Sequence, residues 1–468
     1  MPINTLPARL REFGHKNVRP FATSEEGTMT YLALYFVLIM ALVGGIGVDL
    51  MRNEMERTAL QHTVDRAVLA AADLDQNLDP TAVVNDYFEK AGMTEFLSSV
   101  TVNEGLNFRT VTAEAETSSD TQFMKFVGVD TLPVPAIGSA EERISNVEIS
   151  LIIDISGSMG WNSKMSRLKT AAKEFVDTVI KDESDKKISI SLVPYTAQVN
   201  AGPDIFYRYQ TTDLHNYSHC IDFEQADFDL TGLSFTKVYE QMQHFDEGWN
   251  YSNPISNPGC PQQTFERIMP FEDTKSTLKN RIDQYQARAN TSIHLGMKWG
   301  VAMLDPDFRN VNVWLANNNK IENTFRVRPV DYDDDETLKT IVLMTDGQNV
   351  NTTRIQPWYY NSDSEIYHWS RYPLHWYLNN YVYGSWSNWR YTKYTSSQAD
   401  AMLDRICDAA KDKGIVVWSV GFEVTDHSAG VMEDCASSPS HFFRVEGIEI
   451  SDAFESIAKQ INQLRLTQ

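Results

Sequence analysis

Asp154, Ser156 and Ser158 stand at alternate positions where an apolar run ends, Ile149-Ser150-Leu151-Ile152-Ile153 leading into Asp154-Ile155-Ser156-Gly157-Ser158. A strand that stops in such a turn presents one carboxylate and two hydroxyls from one short stretch of chain. These are hard oxygen donors, suited to Mg²⁺, Mn²⁺ or Ca²⁺. Two further segments offer donors of the same kind. Asn290-Thr291-Ser292 precedes a helical pattern over 292–304, and Leu343-Met344-Thr345-Asp346-Gly347 ends a second apolar run in a carboxylate. Each segment alone has a plain reading, since Asp-Gly is a common turn and Thr a common helix cap.

The elements that must position these residues alternate along the chain. Strand patterns at 149–154, 188–193, 340–346, 415–422 and 441–445 are separated by helical patterns at 166–180, 292–304 and 399–412, and Ser451 opens a last helix carrying Phe454, Ile457, Ile461 and Leu464 on one face. Such alternation implies an α/β fold, a doubly wound and mostly parallel sheet. Ligands in such sheets bind outside the carboxyl ends of the strands, which places all three donor segments at one edge. Two long insertions break the frame. One spans about 200–288 and holds Cys220 and Cys260. The other spans about 349–398 and carries Trp358, Trp369, Trp376, Trp386 and Trp389 among nine tyrosines from Tyr359 to Tyr394. The second insertion follows the strand that ends at Asp346, so it emerges at the donor edge. Its rings serve either as the insertion's own small core or as a recognition surface.

The net charge of −22 over 468 residues argues against nucleic acid as a partner, because phosphate contacts need a basic surface. No charged residue falls between Gly27 and Val48, and 29–48 is almost wholly apolar. A run of this length spans a bilayer as a helix and exceeds the apolar region of a cleaved leader. Arg9, Arg11, Lys16 and Arg19 precede it, so the basic side, residues 1–26, is expected in the cytoplasm and the body outside. Pilin-type processing after Gly27 favours Glu at the fifth following position, and Leu32 stands there. Beyond the span, Leu60, Val64, Ala67, Ala71 and Leu74 form an amphipathic stripe, expected to pack on the chain's own outer part rather than on a partner helix. Residues 49–146 read as a helical stalk with a small α+β module: a second helix from Pro80 to about Gly92, strands at 100–102 and 108–113, a short helix at 121–126 and an extended stretch at 132–135. The four cysteines suit an oxidising compartment. Three pairings are open, and proximity favours Cys220–Cys260 and Cys407–Cys435.

The donor segments, in this order and frame, resemble the metal-ion-dependent adhesion site of the von Willebrand factor A domain. Asp154-x-Ser156-x-Ser158 matches its signature turn, Thr291 its threonine loop and Asp346 its last acidic position. The resemblance implies a metal held by Asp154, Ser156, Ser158, Thr291 and Asp346, with an open position for an acidic residue of a partner. Few charged ligands would leave the metal electrophilic toward such a carboxylate. The apolar span, then Gly47-Val48-Asp49 and Leu60-Gln61-x-x-x-Asp65-x-Ala67-x-x-Ala70-Ala71-Ala72, resembles the N-terminal segment of the TadE/TadG family of tight-adherence (Flp) pilus assembly proteins. Ala289-Asn290-Thr291-Ser292-Ile293-His294-Leu295-Gly296 and Val342-Leu343-Met344-Thr345-Asp346-Gly347 fit that group too.

The expectation is therefore a single-pass bacterial inner-membrane protein, its 147–468 domain in the periplasm or displayed on the pilus, that grips other pilus assembly proteins or pilins through Mg²⁺ (or Mn²⁺ or Ca²⁺). The alternatives are a minor pilin or tip adhesin binding surface ligands directly, and a subunit associated with an enzyme, as in metal chelatases. An enzyme is not expected, since the chain shows no Ser-His-Asp order, no phosphate-binding Gly-rich loop and no Asp-x-Asp at 154–156. Asp331, Asp333, Asp334, Asp335 and Glu336 lack the Gly and distal Glu of a calcium loop and read as a solvated loop. His294, alone on its helix, reads as packed or exposed rather than catalytic.

Overall fold

The computed structural model describes residues 28–73, 78–104, 108–143, 146–181, 183–184, 186–334 and 336–463. The expected tail 1–26, Leu74, Asp335 and Leu464 lie outside them. The chain divides into two units, one ending at Glu142 and the other starting at Arg143.

In the first unit, helix α1 runs unbroken for 45 residues, Thr28–Ala72, about 68 Å at 1.5 Å per residue. It is the one described helix long and apolar enough to cross a membrane. Its first half leaves large apolar side chains exposed, while Leu60, Val64, Ala67, Val68 and Ala71 are buried in the unit's own core with Val84, Phe88, Val111 and Val134. Leu60, Val64, Ala67 and Ala71 of the stripe pack within the chain, the expected one of the two partners. Helix α2, Pro80–Ala91, starts where Asp79 accepts a hydrogen bond from the Ala82 amide and stops at Gly92, whose φ is 67°. Strands β1 (Leu97–Glu104), β2 (Phe108–Asp120) and β3 (Thr131–Arg143) form a sheet in that order. The helix expected at 121–126 is one tight turn, Met124–Val127, in the β2–β3 connection.

The second unit is built on a six-stranded sheet. Its strands are β4 (Asn146–Asp154), β5 (Ile188–Tyr195), β6 (Met269–Glu272), β7 (Thr337–Thr345), then two late strands, Val416–Phe422 and Phe442–Val445. The spatial order is Phe442–Val445, Val416–Phe422, β7, β4, β5, β6. All neighbours are parallel except β6, which is antiparallel to β5. Strand β5 lies to one side of β4 and β7 to the other, so the order reverses beside β4. Helices Lys164–Val179, Ile293–Ala302, Ser396–Lys411 and Glu449–Gln463 complete the layers, and the body is a von Willebrand A-type α/β domain. Strands β4, β5 and β7 are buried almost throughout, as central parallel strands must be. Among their buried polar residues is a matched charge pair: Glu148 and Lys339 face each other in register, 2.6 Å apart and buried, with Glu148 also accepting from the Val330 amide.

The first insertion is shorter than the 200–288 expected. Strand β6 and helix Lys275–Gln284 lie inside that span yet belong to the frame. The four residues Met-Pro-Phe-Glu show no alternation, and proline is tolerated in an edge strand, so the pattern gave nothing to read. The second insertion is a hairpin, Thr352–Ile355 paired with Arg390–Tyr394, enclosing helices Asp363–Trp369 and Leu374–Tyr381. Its Ile355, Tyr360, Trp369, Leu374 and Leu378 share a core with Cys220, Met242, Phe245 and Cys260 of the first insertion. Both expected disulfides are present, Cys220–Cys260 and Cys407–Cys435, with Cα separations of 6.0 and 5.1 Å.

Candidate metal centre

Asp154 is the last residue of β4 and Thr345 the last of β7, so the two strands that flank the reversal of strand order deliver the first donors. That is the crevice where doubly wound sheets bind ligands. Asp154 is fully buried. Its Oδ1 accepts from the Ser156 amide at 2.8 Å and its Oδ2 from the Thr345 hydroxyl at 2.8 Å, which fixes the carboxylate plane. The oxygens then run on as a chain. Ser156 Oγ and Ser158 Oγ are 3.0 Å apart, and the Ser158 hydroxyl donates to Asp346 Oδ1 at 2.5 Å. Thr291 joins from the other side: a methyl group placed on Gly347 would sit 3.5 Å from Thr291 Oγ1 and 3.6 Å from Ser158 Oγ. The five expected residues are therefore gathered at one end of the sheet, with Ser158 and Thr291 side by side next to Gly347 and Ser158 joined to both Ser156 and Asp346.

The loops are held to one another by backbone. The Gly157 amide donates to the Ala289 carbonyl at 3.0 Å, and any side chain at Gly157 would collide with that same carbonyl. The Ser292 amide donates to the Thr196 carbonyl at the end of β5, and the Val350 amide to the Thr291 carbonyl. Asn349 receives the Ile293 amide at 2.7 Å.

Burial, and then the neighbouring Asp346 carboxylate, push Asp154 up to about 6. Two carboxylates that repel across a cluster of hydroxyls are the charge arrangement a dication would relieve. Among the described residues no group of three or more His, Cys, Asp or Glu gathers as metal ligands, so this is a low-charge, all-oxygen set, and its chemistry fits Mg²⁺, Mn²⁺ or Ca²⁺. The residues present fit the ion. With it bound, the two carboxylates would supply charge and the three hydroxyls direction.

The parts played by Thr345, Lys164, Glu423 and Arg167 were not foreseen. Thr345 orients Asp154. Lys164, at the start of helix Lys164–Val179, places Nζ 3.1 Å from Asp346 Oδ2 and 3.5 Å from Glu423, which Arg167 also meets at 3.3 Å. Nothing in the spacing of Lys164 or Glu423 relative to the turn marks them, because they meet Asp346 only through the fold. His294 is fully buried, its Nδ1 3.1 Å from Asn349 Oδ1, and burial lowers it to about 4. It is a packed neutral ring.

A recess of about 290 Å³ opens beside the threonine loop, lined by Glu247, Trp249, Asn290, Thr352, Arg354 and His375. Glu247 Oε2 accepts from the Asn290 amide group at 2.5 Å. The first insertion thus meets the residue that precedes Thr291, and the second lines the same recess. In the acidic stretch near 331–336, Asp331 pairs with Arg309 at 2.9 Å.

Residues 27–74 match the family model described as Flp pilus-assembly TadE/G-like. No curated protein matches the chain. Among solved structures, the vWF domain of the type V pili tip protein Mfa5 from Porphyromonas gingivalis is 15% identical, covering 68% of this chain and 96% of that one, with a TM-score of 0.35. The PilB minor pilin from Streptococcus sanguinis is 13% identical over 79% of this chain and 78% of its own, TM-score 0.35. The pilus adhesin SpaC from Lactobacillus rhamnosus GG is 14% identical over 78% of this chain and 34% of its own, TM-score 0.32.

Proposed function

We propose that this TadG-like chain is a membrane-anchored component of tight-adherence pilus biogenesis that grips a partner protein through a divalent metal. The observation that carries the reading is the convergence of Asp154, Ser156, Ser158, Thr291 and Asp346 oxygens at the reversal point of the sheet. Mg²⁺, or Mn²⁺ or Ca²⁺, would bind there and take an acidic side chain of a pilin or assembly protein as its remaining ligand. The recess lined by Glu247, Trp249 and Asn290 would receive a neighbouring part of that partner. Helix α1 would hold the chain in the inner membrane with residues 1–26 in the cytoplasm and the body in the periplasm. The two disulfides support an oxidising compartment for the body.

The test is crosslinking in cells with the native chain and with Asp154→Ala. The expected result is one or more pilus-system partners that disappear with the substitution. An unchanged partner set, when calorimetry shows that metal binding is lost, overturns metal-mediated recognition. A second reading, display on the pilus as a tip adhesin, predicts the chain in the sheared pilus fraction rather than solely in membranes.

A further inference from the structure

The β2–β3 connection of the first unit carries three apolar side chains that its own core does not cover. Phe126 is 81% exposed, Val127 54% and Phe123 38%. They sit on a well-fixed turn. The Asp49 carboxylate accepts the amides of Gln122, Phe123 and Met124 at 3.0, 2.7 and 2.7 Å. The base is closed by Thr121, whose hydroxyl donates to the Val129 and Asp130 carbonyls, and Gly128 takes a φ of 91° to complete the reversal. A fixed turn with bare aromatic rings needs something to cover them.

What lies next to the turn identifies the cover. Asp49 is the first charged residue after the apolar span of α1, and the Phe123 ring rests on Gly45, where a methyl group would overlap it. Gly45 lies three residues inside Val48, about 5 Å deeper along the helix at 1.5 Å per residue. Interfacial apolar groups enter a bilayer by about 5–10 Å, so the depth of the turn matches. Lys125, exposed on the same turn and 4.0 Å from the equally exposed Asp130, can reach out to the headgroups while the rings point inward.

We infer that the Phe123–Val127 turn is a second membrane contact, inserting Phe126 and Val127 into the lipid interface beside the span. The partner is the lipid surface itself. Through Asp49 the turn fixes how far α1 rises from the membrane and couples that depth to the β-sheet of the unit. This rests on α1 spanning the membrane.

The full chain is reconstituted into phosphatidylcholine–phosphatidylglycerol vesicles with an environment-sensitive fluorophore on Val127→Cys, and on Ile137→Cys for comparison, since Ile137 is exposed on β3. At 127 the expected result is blue-shifted emission with several-fold quenching by lipids spin-labelled near the headgroup; at 137 emission is water-like and unquenched. Phe123→Ser with Phe126→Ser should abolish the quenching at 127 while the chain still pellets with vesicles after alkaline extraction. Emission at 127 that equals that at 137 in chains that pellet overturns the inference. Failure of the native chain to pellet overturns the span on which it rests. Shielding at 127 without lipid quenching means that protein covers the turn, and also overturns it.

Discussion

The sheet of the second unit and its paired insertions bury themselves by opposite means. Strands β4, β5 and β7 are sunk along their whole length in an aliphatic core, with Ile152, Val193, Ile341 and Leu343 among fully buried residues. The insertions hold a small core of rings and one disulfide: Trp369, Tyr360 and Phe245 around Cys220–Cys260. Neither insertion could build that core alone, since Phe245 and Met242 come from one and Trp369 and Leu374 from the other. The difference is one of dependence. The donors at 154 and 346 hang on strand ends that the large core fixes, whereas the recess beside them exists only while both insertions stay docked. Position of the candidate metal ligands and shape of the recess can therefore vary separately.

The largest separation between the two regions should come from Asp154→Ala. Metal affinity is expected to fall at least about 100-fold, about 2.8 kcal/mol at 1.4 kcal/mol per tenfold, by calorimetric titration with Mg²⁺. The metal-free melting temperature should barely move. The substitution strips an acceptor from Thr345 and the Ser156 amide, but it also removes a buried carboxylate that Asp346 repels. A large fall in the metal-free melt would mean that the site and the sheet core are not separable.

Cys220→Ser with Cys260→Ser tests the other region. Chain entropy for a bridge spanning 40 residues amounts to about 4 kcal/mol. The loss should be local. Hydrogen exchange is expected to rise in 240–262 and 355–394 while amides of β4 and β7 keep their protection. Equal loss in both would show one cooperative unit instead of two.

Lys298 joins the regions. It stands on the buried helix Ile293–Ala302 and donates to the carbonyls of Leu230 and Gly232 at 2.5 and 2.9 Å in the first insertion. Burial lowers its pKa from 10.5 to about 7. Between those values the unfolded chain binds more protons than the folded one, so stability rises as pH increases from about 7 toward 10.5. Lys298→Met should flatten that rise, read from urea midpoints at pH 7, 8 and 9, and should cost about 1–3 kcal/mol at the alkaline end from carbonyls left unpaired. A slope that persists in the variant assigns it to another group.

Legibility in the sequence follows the same division. Strands β4, β5 and β7 were readable because a central parallel strand must be a continuous apolar run, and Asp154 and Asp346 because such runs stop at the ligand edge. Thr291 needed its neighbours on both sides to become more than a helix cap. Strand β6 was invisible, being four residues with a proline at a sheet edge. Lys164, Glu423 and Thr345 were missed because their roles arise from packing between elements that no local period encodes. Lys298 reads as one polar residue in an apolar helix, and only the loop that folds over it explains it. For the aromatic insertion the sequence left two roles open. Trp369 and Tyr360 are buried, as the core role requires, and Trp358 and Tyr383 are bare.

That division yields the finest test. Trp358 is 56% exposed and Tyr383 fully exposed, so Trp358→Ser and Tyr383→Ser should each change stability by less than about 0.5 kcal/mol, the usual range for surface positions. Trp369→Ala should cost about 3–5 kcal/mol by emptying the insertion's core. If the bare rings form part of the partner surface, a photo-crosslinking aromatic at 383 will capture the same partner that Asp154→Ala releases, and Trp358→Ser will lower the yield without moving the melt. Capture at 383 that survives Asp154→Ala would separate the aromatic surface from the metal and make it a second, independent contact. No capture at 383, with full binding in Trp358→Ser, would reduce the exposed rings to the outer layer of a small core that too few aliphatic residues were present to build.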